Sequence, residues 1–259
     1  MLATLALAAC NRAGSASHQA EAPPTSGLDE SGYLRPPQVQ GAQRAADGGV
    51  MLSGRSGPLV RVRLSSPPPI NTAYGATADA KGDWTIAIPA ASDVRLVGLA
   101  EELVGRDVQG EGYIAILPAP GPAGALLRGG GGASVLVGPS ALRIAAVDYD
   151  GSGATVVSGL ARPGAPARLF VDDSPAGEAR VTDRGRFSIS VTVSLKPGDH
   201  TARIDCADET DTVKFSVDPP RPVNGLPYRG ERTPSGWRID WLTPGGGEQT
   251  TLIFDKAES

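Results

Sequence analysis

RFSISVTV (186–193) sets apolar side chains at every second position, Phe187, Ile189, Val191 and Val193, with serine or threonine between them. A period of two is that of a β-strand with one face in a core, whereas a helix needs a period of about 3.6. LVRVRL (59–64) carries the same rhythm, with Val60, Val62 and Leu64 on one face and Arg61 and Arg63 on the other. VRLVGL, GYIAIL, ASVLV and LRIAAV are further short apolar runs, and no stretch sustains a helical period over a helical length. The 34 glycines and 23 prolines fall largely between these runs and in the N-terminal region, as expected of strands joined by tight turns. The expected class is all-β.

Working outward from RFSISVTV, one pattern occurs twice. Ser53-Gly54 precedes LVRVRL and then ADAKGDWTIAI, where Gly82 stands just before Asp83-Trp84. Ser158-Gly159 precedes ARLFV (167–171) and then VTDRGRFSISV, where Gly185 stands just before Arg186-Phe187. The first copy is slightly longer, which fits an insertion around Pro67-Pro68-Pro69. In each copy the glycine is expected to take a positive φ and close a hairpin, and the aromatic after it to point into a sandwich.

The second copy resembles a bacterial Ig-like domain of envelope proteins. The resemblance rests on Pro163-Gly164, Val171-Asp172, Gly177, Asp183, Gly185, Phe187, Leu195, Pro197-Gly198 and His200, and covers about residues 154–218. It implies a β-sandwich there. The first copy keeps the Gly-x-Trp turn and lacks the Pro-Gly-x-His stretch, so a divergent sandwich is expected over 49–147 and an Ig-like module over 148–218. Modules of this kind often stand beside a LysM repeat, and no LysM-like segment is present.

At the other end of the chain, Leu7-Ala8-Ala9-Cys10 resembles the lipobox of bacterial lipoprotein signal peptides. The resemblance implies a signal peptide over 1–9, cleavage between Ala9 and Cys10, and a lipid on the Cys10 thiol that holds the protein on a membrane outside the cytoplasm. Two or three acyl chains suffice for stable anchoring. No basic residue precedes the apolar core, which implies a start upstream of Met1 or inefficient export. Residues 10–48, rich in Ala, Gly, Ser, Pro and Gln, read as the lipidated cysteine and a flexible tether. Beyond Pro219-Pro220-Arg221-Pro222, residues 219–259 read as a linker and a C-terminal hairpin around Thr243-Pro244-Gly245-Gly246-Gly247. Trp237, Ile239 and Trp241 share one face of that hairpin. They either pack on a module's sheet or form an exposed binding platform for a glycan or peptide, packing being the commoner fate.

Chemistry is sparsely signalled. A net charge of −4 argues against nucleic acid as a partner. Two histidines, His18 and His200, leave little room for Ser-His-Asp, Cys-His or zinc arrangements, and no G-x-S-x-G elbow occurs. RGGGGAS (128–134) reads as a loop, because no Gly-Lys-Ser/Thr follows it. Asp148 and Asp150 in VDYDGSG resemble a fragment of a calcium loop at the junction of the modules, against the plainer reading of an Asp/Gly turn. Asp205, Asp208, Glu209 and Asp211 read as a solvated turn. Cys206 reads as a small buried hydrophobe rather than a reactive thiol. A non-enzymatic, cofactor-free envelope protein is expected, acting as a spacer or interaction platform; a wall-glycan or ligand-binding module is the alternative.

Overall fold

A computed structural model describes residues 35–138, 140–219, 221, 223 and 225–255. Cys10, Ala9 and most of the expected tether lie outside these residues. The chain forms β1 (Gln38–Arg44), β2 (Val50–Arg55), β3 (Arg61–Ser65), β4 (Ala73–Thr77), β5 (Asp83–Ile88), β6 (Arg95–Leu103) and β7 (Arg106–Gln109). It continues with β8 (Tyr113–Ile116), β9 (Gly124–Leu127), β10 (Ser134–Val135), β11 (Arg143–Asp150), β12 (Thr155–Leu160), β13 (Pro166–Val171) and β14 (Ser174–Arg180). It ends with β15 (Arg186–Ser190), β16 (Gly198–Cys206), β17 (Glu209–Val217), β18 (Tyr228–Thr233), β19 (Gly236–Leu242) and β20 (Glu248–Phe254). The class is all-β, and no helix among the described residues is long and apolar enough to cross a membrane.

Four antiparallel sheets result, ordered β1-β2-β5, then β10-β9-β8-β6-β3-β4 with β7 on β6, then β15-β12-β11-β20-β19-β18, then β14-β13-β16-β17. Three apolar cores lie between successive sheets. One joins the first two sheets through Leu52, Val62, Leu64, Trp84, Ile86 and Val97. Another joins the last two through Val147, Leu169, Phe187, Ile189, Ile204 and Phe215. The third lies between the two sandwiches. The outer sheets show alternation, as in β2 and β13, where buried positions alternate with exposed or half-buried ones because one face meets water. The inner sheets are covered on both faces: Ile114 faces one core and Ala115 the other, and β9 and β19 are buried almost throughout.

Several boundaries differ from the sequence reading. The tether stops short of residue 48, since β1 occupies Gln38–Arg44 and pairs with β2. Glycine and alanine in QVQGAQR masked a strand whose buried anchor is Ala42 alone. The second sandwich begins with β11 at Arg143, ahead of 148. The C-terminal segment is not a separate tail: β20 pairs with β11 and completes that sandwich's larger sheet.

The repeated Gly-x-aromatic turn is also different from expectation. Gly82 and Gly185 have φ of 84° and 70°, as expected, and Trp84 and Phe187 are buried. Yet β4 pairs with β3 while β5 pairs with β2, and β14 pairs with β13 while β15 pairs with β12. Each turn therefore carries the chain from one sheet to the facing sheet, and it is an arch, not a hairpin. Asp79 N–H donates to the Asp83 carbonyl and Thr182 N–H to the Arg186 carbonyl, both at 2.9 Å, so the turn looks like a hairpin for one rung before the strands part. Finally, β15 ends at Ser190, and Val193 is exposed despite its place in the alternation.

Candidate functional site

The Trp237/Trp241 face lies in the seam between the sandwiches. Register across β19 and β20 sets Trp237 opposite Ile253, Ile239 opposite Thr251 and Trp241 opposite Gln249, so these six side chains share a face. That face meets Leu96, Leu117, Leu127 and Val135 of the first sandwich. Trp241 is 1% exposed, donates its indole N–H to Thr251 Oγ1 at 3.1 Å and stands edge-on to Tyr113, ring centroids 6.1 Å apart. Trp237 is 7% exposed, with the Arg232 guanidinium 5.5 Å from its ring. An exposed platform at Trp237 and Trp241 is therefore corrected to a packed junction: once β20 pairs with β11, the apolar face of the hairpin is turned toward the first sandwich.

A polar latch borders this core. The RGGGGAS loop joins β9 to β10 and reaches across to the second sandwich. Ala133 N–H donates to Asp148 Oδ2 at 2.7 Å, and Ser158 donates its hydroxyl to the Ala133 carbonyl at 2.6 Å. Gln249 accepts from Gly130 N–H at 2.9 Å and donates to the Arg128 carbonyl at 3.2 Å. Close approach explains a glycine here: a Cβ on Gly132 would lie 2.5 Å from Ser188 Oγ. Asp148 also accepts from Thr251 Oγ1 at 2.6 Å and Gln249 Nε2 at 3.2 Å. Burial pushes the Asp148 carboxyl up to about 6, outweighing the three donors that favour its charge.

Asp150 plays a different part. Its Oδ1 accepts from Ser152 N–H and Oγ and from Ala154 N–H, closing the turn from β11 to β12. Burial raises its carboxyl, but the bonds from Ser152 and Ala154 lower it further, for a net decrease. Asp148 and Asp150 thus accept from protein donors, one in a latch and one in an Asp/Gly turn. Among the described residues no group of three or more His, Cys, Asp or Glu could hold a metal ion. The acidic turn is also put to work inside the fold: Asp211 accepts from Ile144 N–H at 2.7 Å and Glu209 from Leu142 N–H at 3.3 Å.

The opposite face of β19 is charged and buried. Arg238, 3% exposed, donates to Asp240 at 2.8 and 3.0 Å, to the Tyr149 hydroxyl at 2.9 Å and to Asp218 at 3.2 Å. Thr250 donates to Asp240 at 2.6 Å. Alternation in GWRIDWL signalled two chemically distinct faces, but not that both would be covered.

His200 has partners that sequence spacing could not supply. Nδ1 lies 2.7 Å from Asp172 Oδ2 and Nε2 lies 2.8 Å from the Lys196 carbonyl. Both neighbours are acceptors, so both ring nitrogens carry protons when both bonds form, and neither holds a lone pair for general-base work. Burial lowers the His200 imidazole, while the Lys196 carbonyl and Asp172 raise it more, for a net increase. Cys206 is buried, and burial pushes its thiol up, which keeps it protonated and inert.

No protein-family model and no curated protein sequence matches the chain. Among solved structures, the BSP domain of a biofilm associated protein is similar to 71% of the chain at 14% identity and a TM-score of 0.25, and the chain spans 29% of that protein's length. The D0-D1 domain of intimin is similar to 70% of the chain at 10% identity and a TM-score of 0.23, over 96% of that domain. A Ca2+-stabilised, ice-binding adhesin of an Antarctic bacterium is similar to 88% of the chain at 13% identity and a TM-score of 0.23, over 72% of its length.

Proposed function

We propose that the protein is a non-catalytic, lipid-anchored component of a bacterial cell envelope whose two sandwiches form one stiff spacer and interaction platform. The observation that supports this reading is the third core. Leu96, Leu117 and Leu127 from one sandwich and Trp237, Ile239 and Trp241 from the other bury a face that a flexible pair of modules would leave in water. The latch at Asp148, Gln249 and Ser158 fixes the rotation about that core. A platform that holds its partners at a fixed distance needs such rigidity. The Leu7-Ala8-Ala9-Cys10 stretch supports the anchor.

The test expresses the full chain in a bacterium with an outer membrane, with and without Cys10→Ser, in the presence of labelled palmitate. Wild type is expected in the membrane fraction carrying label, and the variant in the soluble periplasmic fraction. Unlabelled wild type, or identical fractionation of the two, overturns the anchor. Chemical crosslinking in intact cells then reads the platform: discrete adducts on the folded region are expected, and their absence at every spacer length tried overturns it.

A further inference from the structure

We infer that the open end of the first sandwich is a binding site for a phosphate-bearing anion. A cavity of about 380 Å³ lies there, lined by Arg35, Arg55, Lys81 and Arg184 as well as Glu101. The chain as a whole carries a net charge of −4, yet this cavity gathers four cations against one carboxylate. Arg35 precedes β1, Arg55 ends β2, and Lys81 sits in the arch between β4 and β5. Arg184 arrives from the equivalent arch of the second sandwich, between β14 and β15. Docking of the sandwiches therefore completes the site by adding Arg184, and the repeated arch supplies a cation from each copy.

The partners of these charges leave cations available to an anion. Arg35 and Arg184 make no ion pair or side-chain hydrogen bond among the described residues, and both are exposed at the rim. Lys81 makes no ion pair there either, although its charge helps to lower the nearby Asp79 carboxyl after the backbone bonds from Asp83 and Lys81 itself. Arg55 is held in place: its Nε donates to Asp83 at 2.8 Å and its Nη2 to the Lys81 carbonyl at 3.2 Å. Glu101, 1% exposed, accepts from Gly57 N–H at 3.0 Å. Its carboxylate repels an anion that goes too deep, so the favourable position is at the mouth, among the guanidinium groups. Planar guanidinium forks match two oxygens of one phosphate, and concave walls concentrate the field of like charges. A membrane headgroup and a phosphate-containing wall polymer offer the same chemistry. The site does not depend on the lipid anchor.

The test uses the full chain with Cys10→Ser, so that acyl insertion cannot carry it to a bilayer, at low ionic strength. Inorganic pyrophosphate is titrated and followed by amide chemical shifts. Shifts confined to the Arg35, Lys81 and Arg184 neighbourhoods are expected, weakening as salt rises. Lys81→Glu with Arg184→Glu is expected to weaken binding by at least about 25-fold, about fivefold for each cation lost, while Arg184→Lys retains most of it; unchanged melting curves show that the variants fold. Absent shifts, shifts elsewhere, or binding unaltered in the double variant overturn the site. Vesicles of phosphatidylcholine with about 30% phosphatidylglycerol then separate the sources: co-sedimentation lost in the double variant assigns a headgroup, and pyrophosphate binding without vesicle binding assigns a soluble or wall phosphate.

Discussion

Two glycines make room for an aromatic ring against the backbone of a neighbouring strand. Gly54 and Gly159 lie opposite Trp84 and Phe187 in their ladders, and each aromatic ring folds over the bare backbone of its glycine. A Cβ on Gly159 would lie 2.0 Å from the Arg143 carbonyl and 2.6 Å from Phe187 Cζ; one on Gly54 would lie 2.0 Å from the Gln38 carbonyl and 2.4 Å from Trp84 Cζ2. Neither site has room to yield. Gly159→Ala is expected to cost about 3 kcal/mol in urea unfolding, against a negligible change for Gly245→Ala in an open turn. The Ser-Gly repeat was visible in sequence, but its partner was not, because the pairing joins residues about thirty positions apart through another sheet's strands. Asp148 offers a second test at this scale. A carboxyl held up at about 6 contributes stability that is fully present below its unfolded value of about 3.9 and is lost as pH rises through 6. Asp148→Asn should flatten the stability profile between about pH 4 and 6; an unchanged slope there would place the titration elsewhere. His200 has the same sign at higher pH. Its raised value, with Asp172 and Asp199 facing it, gives stability that is complete below about 6.5 and falls as pH rises through the folded value. His200→Gln should remove that fall in pH-dependent melting.

At the scale of elements, the alternating strands were legible and the doubly buried ones only half so. LVRVRL and RFSIS announce which face is wet, since arginine and serine occupy it. GALL and YIAI announce burial but no direction, because a strand between two cores has no wet face to mark. β11 adds a bulge at Ala145, between Ile144 and Ala146 in its register with β12. That extra residue puts Ile144 and Val147 in the same core despite their odd spacing, and a period count cannot anticipate it. The tryptophan hairpin was legible as two strands with an apolar face, and its burial follows from pairing with β11, a hundred residues away. Trp241→Ala is expected to lower stability by about 3–5 kcal/mol. Acrylamide quenching of the native protein should be weak, since Trp84, Trp237 and Trp241 are all buried.

Across the whole molecule, the cores run without a break from the first sheet to the fourth, so the two sandwiches should melt together. A single calorimetric transition is expected, with its midpoint lowered by Trp241→Ala; two resolved transitions in wild type would show the junction too weak to couple the halves. The cation cleft belongs to this scale as well. Its residues were ordinary surface charges in the sequence, scattered from Arg35 to Arg184; the first sandwich gathers three of them and docking adds Arg184.

The pairing of β20 with β11 also sets an order of assembly. During synthesis every other strand of the second sandwich is made before β20, the one that must lie in the middle of its larger sheet. Until Glu248–Phe254 emerges, β11 has an open edge, and Phe254 and Ile253 are missing from the two cores that flank it. The chain therefore passes through early folding with an aggregation-prone edge exposed and its central seam unclosed. A chaperone acting on this protein would have to hold that edge until Glu248–Phe254 arrives.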